Sequence, residues 1–129
     1  MTHKQVEKYI LSMPDAKLDY PFGEDVAVYK FIPTPDVFSR GVGSKKTNPD
    51  APDGGRGKMF ALIREKKEPV QLSLKCDPLL AETLRAKYES VLPGYHLNKK
   101  HWNTIILSGQ LDDQEIKDLI LHSYNLVMN

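Results

Sequence analysis

Apolar residues recur at helical spacing near the start of the chain, where Val6, Tyr9, Ile10 and Met13 share one face of a 3.6-residue period. Thr2 and Gln5 supply a capping box, which predicts an opening helix that stops at Pro14 and Asp15. After the turn Pro21-Phe22-Gly23, residues 26 to 32 are rich in β-branched and aromatic side chains and read as a strand. Residues 58 to 64 and 70 to 75 read as two further strands joined by the polar turn Glu65-Lys66-Lys67-Glu68. In the second, Val70, Leu72 and Leu74 alternate with Gln71, Ser73 and Lys75, as expected when one face is buried and Lys75 is left on the other. Asp77 caps a helix with Pro78 at its first position, and Leu80, Leu84, Tyr88 and Val91 continue its stripe to a break at Pro93-Gly94. Residues 101 to 107 form another strand. A last helix starts at the capping box of Asp112 and Glu115, with Ile116, Leu119, Ile120, Tyr124 and Val127 as its apolar stripe.

This order, with short hairpin-like links, predicts a single α+β domain over residues 1 to 129, an antiparallel β-sheet covered on one side by helices. Residues 33 to 57 hold four of the nine prolines and five of the eight glycines, which predicts a long Pro/Gly-rich loop between the first two strands. The loop carries Arg40, Lys45, Lys46 and Arg56, so it either closes over a ligand or stays solvated as a mobile insertion. No internal repeat appears.

Composition narrows the class. A chain of 129 residues with 40% hydrophobic and 27% charged positions is long enough to bury roughly two-thirds of its unfolded surface without a disulfide or metal staple. No apolar run approaches the roughly 20 residues that span a bilayer, and the opening segment lacks a signal peptide's apolar core, so a cytoplasmic location is expected. Cys76 is the lone cysteine and reads as a small core or edge residue. The net charge of +1 conceals a gradient: residues 56 to 102 carry ten Lys/Arg against five Asp/Glu, whereas residues 103 to 129 carry one lysine against four acids. A basic middle attracts phosphates, although a pI near 7.8 is below that of a dedicated nucleic-acid binder.

The densest chemistry lies in Pro93-Gly94-Tyr95-His96-Leu97-Asn98-Lys99-Lys100-His101-Trp102-Asn103-Thr104, which holds the only tryptophan and two of the four histidines. One reading makes Lys58, Lys75, Lys99 and Lys100 phosphate contacts, with Asn98, His101 or Trp102 touching a sugar or stacking on a base. The other makes Trp102 a core anchor, lets His96 and Asn98 satisfy turn backbone, and leaves the lysines solvated. His96 and His101 stand without a compact set of Asp, Glu or Cys partners, so neither metal nor cofactor is expected. No nucleophile elbow, P-loop or Gly-x-Gly-x-x-Gly turn is present, and no enzymatic activity is expected.

Pro21 to Gly23, Lys58 to Ala61, Leu74-Lys75, Leu84-Arg85 with Tyr88, and Pro93 to Trp102 together resemble the signature segments of the MmcQ/YjbR family of small bacterial proteins. The resemblance covers nearly the whole chain except residues 33 to 57, where the family has a shorter link. It implies a fold similar to the bacterial frataxin homologue and to a phage transcription-factor domain called a double wing. That second likeness implies DNA as a partner, and the expected function is a non-catalytic DNA-binding or regulatory module using the basic surface. The alternative is a module that binds a small anionic ligand or a protein, with the chain a monomer or weak homo-oligomer.

Overall fold

Two reciprocal side-chain bonds start the first helix. Thr2 Oγ1 accepts the Gln5 N–H at 3.2 Å, and Gln5 Oε1 accepts the Thr2 N–H at 2.9 Å, so α1 (His3–Leu11) begins where the capping box places it. In the computed structural model, which describes residues 1–33, 57–95 and 97–128, eight further elements follow. They are β1 (Ala16–Asp19), β2 (Val26–Phe31), β3 (Lys58–Arg64), β4 (Gln71–Lys75), α2 (Pro78–Lys87), β5 (Val91–Pro93), β6 (Trp102–Ile106) and α3 (Asp113–Met128). The strands form one antiparallel sheet in the order β1-β2-β3-β4-β6-β5.

Three expectations change. β1 precedes the strand taken as first, so the Pro/Gly-rich stretch falls between β2 and β3, and all but its end residues lie outside the described residues. The second helix ends at Lys87, because Tyr88 turns extended (φ −122°, ψ 125°), and Val91 belongs to the short edge strand β5. The strands expected over 70–75 and 101–107 are trimmed to β4 and β6.

The main core lies between the sheet and the helices. Val6 and Ile10 of α1 and Ile116, Ile120, Tyr124 and Val127 of α3 bury against Ala27, Tyr29, Ala61, Ile63, Leu72, Leu74 and Ile105. Each large apolar side chain contributes about 1.5–3 kcal/mol on burial. An exposed ion pair such as Lys66 with Asp25, 2.9 Å apart, is worth about 0–1 kcal/mol, so the apolar seam dominates. α2 joins the same face through buried Ala81, whose carbonyl accepts Asn103 Nδ2 at 3.3 Å. Across the sheet, Val28, Leu62 and Trp102 form a second, smaller cluster with Val26, Met59 and Leu97. The sheet is therefore apolar on both faces, and helices cover one of them.

Candidate nucleic-acid interface

Antiparallel pairing gathers segments far apart in sequence. β3 begins at Lys58, β4 ends at Lys75, β5 ends at Pro93 and β6 begins at Trp102, so all four strand termini lie at one end of the sheet. The β4–β6 register sets Lys75 opposite Trp102.

The connection from β5 to β6 folds back over the helix-free face and is pinned along its length. The Gly94 N–H donates to the Trp102 carbonyl at 2.9 Å. A Cβ on residue 94 would stand 2.7 Å from Trp102 Cβ, so only glycine fits this approach. The Tyr95 N–H donates to Thr104 Oγ1 at 3.2 Å, and that hydroxyl also bonds Ser73 Oγ at 2.8 Å in the sheet. Arg64 lies 4.5 Å above the Tyr95 ring, a cation–π contact. Farther along, Asn98 Oδ1 accepts the Lys100 N–H at 2.9 Å and the Asn98 carbonyl accepts the His101 N–H at 3.2 Å, which closes the turn. Arg85 of α2 donates to the Lys99 carbonyl at 2.7 Å, and the Cys76 N–H donates to the His101 carbonyl at 2.7 Å.

Within this frame Asn98, Lys99 and Lys100 are exposed and His101 is half-buried. Lys99 Nζ also reaches the Gly94 carbonyl at 3.3 Å. Trp102 is only 7% exposed and packs with Val28 and Leu62, so its ring anchors the second cluster and offers no face for stacking on a base. Lys75 shares the helix-free face with Trp102. Lys58 pairs with Phe31, which packs against the main core, so the register assigns Lys58 to the helix-bearing face. The sheet thus brings the seven candidates to one end and divides the lysines between its faces. His96 and the basic residues at 40, 45, 46 and 56 lie outside the described residues.

Arg64, Arg85, Gly94 and Tyr95 shape the segment; the sequence marks Arg85, Gly94 and Tyr95 within its signature segments without giving them a role, and Arg64 only as the end of a strand. Lys17 and Lys30 stand opposite each other in β1 and β2 on the helix-free face; Lys30 Nζ is 3.7 Å from Asp19 Oδ2, so Lys17 is the one that extends the basic character of this end. Only their alternation with apolar residues could have signalled it. Cys76 is buried, and burial pushes its thiol up to about 11, as befits a core residue. A cleft of about 330 Å³ between α1 and α3, lined by Gln5, Lys8, Tyr9 and Lys117, belongs to the helix layer and stands apart from the sheet end. Among the described residues no helix is long and apolar enough to cross a membrane.

The family profile described as YjbR matches residues 44–126. The uncharacterized protein YjbR of Escherichia coli (strain K12) is 42% identical over 71 residues, and the match covers 55% of this chain and about 60% of that protein's length. The uncharacterized protein YbdF of Escherichia coli O157:H7 is 31% identical over 127 residues, 98% of this chain and 84% of that one. Among solved structures, a Deinococcus radiodurans protein with the domain DUF419 superposes with a TM-score of 0.78 at 31% identity, covering 99% of this chain and 79% of its own. A Pseudomonas syringae protein superposes with a TM-score of 0.68 at 28% identity, covering 98% and 99%.

Proposed function

This chain belongs to the YjbR family, and from that premise we propose that it is a non-catalytic regulatory module that holds DNA phosphates at the basic end of its sheet. The supporting observation is the convergence of the ends of β3, β4 and β6, which carry Lys58, Lys75 and the Lys99-Lys100 turn. Lys99 and Lys100 make the first contacts, because the turn that presents them is fixed by Asn98 and Arg85 before any ligand arrives. Pre-fixing lowers the ordering cost of binding. Contacts of this kind follow the backbone and do not read bases, so weak sequence preference is expected.

The test is fluorescence anisotropy of a labelled random duplex titrated with the protein at low and near-physiological salt. Four phosphate contacts give a slope of log K against log salt of roughly −3.6, close to a hundredfold loss between about 50 and 200 mM. Reversing Lys99 and Lys100 together to glutamate should abolish binding while leaving the melting temperature nearly unchanged. No binding at low salt would overturn this function and leave a small anionic ligand or a protein as the partner.

A further inference from the structure

The opposite end of β3 carries a different chemistry. His3 and Glu7, four residues apart in the first turns of α1, meet Glu65, the residue that follows β3, and the ligand atoms of all three lie within 4.8 Å of one another. His3 Nε2 is 3.6 Å from Glu65 Oε1. That separation is beyond the roughly 2.7–3.2 Å of a hydrogen bond. The nitrogen is nevertheless shielded from solvent and has no hydrogen-bond partner among the described residues. Each carboxylate accepts a hydrogen bond from a tyrosine: Tyr29 Oη donates to Glu7 Oε2 at 2.7 Å, and Tyr20 Oη donates to Glu65 Oε1, the oxygen that faces His3, at 2.8 Å.

We propose that His3, Glu7 and Glu65 form a site for a first-row divalent cation, with Zn²⁺ its best match. One imidazole nitrogen and two carboxylate oxygens are a ligand set that zinc accepts, and the remaining position takes water. The two carboxylates balance the ion's charge, and a cation would satisfy the otherwise unpartnered His3 nitrogen. Ligand atoms in a tetrahedral site with bonds of about 2.0–2.2 Å stand about 3.3–3.6 Å apart. The His3–Glu65 separation already meets this, and side-chain rotation within the 4.8 Å limit closes the rest. The tyrosines supply the outer hydrogen bonds that orient ligating carboxylates. His3 and Glu65 retain side-chain exposures of 30% and 24%, enough for an ion to enter. The only sequence signal is the His-x-x-x-Glu spacing on one helical face, and Glu65 arrives through the fold.

Isothermal titration of the full chain with zinc chloride, and with manganese and magnesium chlorides in parallel, tests the assignment. The expected result is one saturable zinc equivalent, weaker manganese binding and little response to magnesium. His3→Ala and Glu65→Gln should each weaken zinc by about tenfold or more, and Tyr20→Phe, which keeps all three ligands, should weaken it by a smaller factor. Circular dichroism identifies any variant that fails to fold, and His3→Ala, at the first residue of α1, is the one on which the outcome then rests. Absence of saturable zinc binding would overturn the proposal. So would binding that is equally tight in His3→Ala and Glu65→Gln, which would put the ion elsewhere.

Discussion

The hydroxyl of Ser123, on α3, accepts the backbone N–H of Lys75, on β4, at 2.9 Å and donates to the carbonyl of Phe60. The β3–β4 register pairs Ala61 with Leu74, so Phe60 and Lys75 are the next partners in the ladder. The β-bulge that shifts the β2–β3 register falls beside them, and a helix side chain completes the bonding instead. Ser123 is fully buried, so Ser123→Ala leaves a backbone donor and an acceptor without their partner. The expected cost is about 1–3 kcal/mol, read as a lower urea midpoint with an unchanged m-value. A loss below about 0.5 kcal/mol would mean that the two strands close the ladder unaided.

Gly94→Ala drives a methyl group to 2.7 Å from Trp102 Cβ, with Leu97 Cβ only 3.2 Å away. Neither neighbour can yield without moving a strand or the turn that presents Lys99. Overpacking of this kind costs about 1–3 kcal/mol. Trp102 is the only tryptophan, so its emission reports the same event, and a red shift should accompany the stability loss. Stability falling with unchanged emission would place the strain in the loop backbone.

Legibility followed local chemistry. The caps at Thr2, Asp77 and Asp112 were readable because each capping bond spans two or three residues, and the Asp112–Glu115 box closes with bonds of 2.8 and 3.2 Å. β1 escaped because Ala-Lys-Leu-Asp is too short for a period of two to stand out. β5 was hidden because Tyr88 and Val91 prolong the helical spacing of Leu80 and Leu84, and nothing in their side chains announces the turn at Tyr88. Pro93 suits an edge strand, which was the one available hint. The candidate lysines were legible as residue types. Their meeting at one sheet end depends on β4 pairing with β6, with α2 and β5 in between, and no local pattern encodes that partner choice.

The thiol of Cys76 should resist modification in the folded chain. Burial is the chief cause of its raised pKa, the Asp77 charge adds to it and Arg85 works against it, with a result near 11. An ordinary thiol titrates near about 8.5. Between those values the folded state holds a proton that the unfolded state has lost, so this group's contribution to stability is fully present below the lower value and declines as pH rises through the upper one. Labelling with an alkylating reagent at about pH 9 should be slow in buffer and fast in denaturant. Fast labelling of the native protein would place the sulfur at the surface.

Tyr88 and Glu115 tie the end of α2 to the start of α3, and they should leave a mark at acid pH. The Tyr88 hydroxyl donates to Glu115 Oε2, and the Asp112 N–H donates to Oε1 at 3.2 Å. These two bonds, Tyr88 first, hold the Glu115 carboxyl below its ordinary value; burial opposes them, and the Lys87 charge adds a lesser push in their favour. A depressed carboxylate contributes stability that is present above its unfolded pKa of about 4.3 and is lost as pH falls through the folded value, where the unfolded chain binds the extra proton. Tyr88→Phe removes the largest cause, so the Glu115 carboxyl, followed by ¹³C NMR, should titrate at higher pH and the stability slope across that window should flatten. Glu115→Gln abolishes the titration, and adding Tyr88→Phe to it should then leave the slope unchanged. If the Glu115 titration does not move in Tyr88→Phe, the Asp112 N–H and the α3 N-terminus hold the charge by themselves, and the phenol serves only to pack α2 against α3.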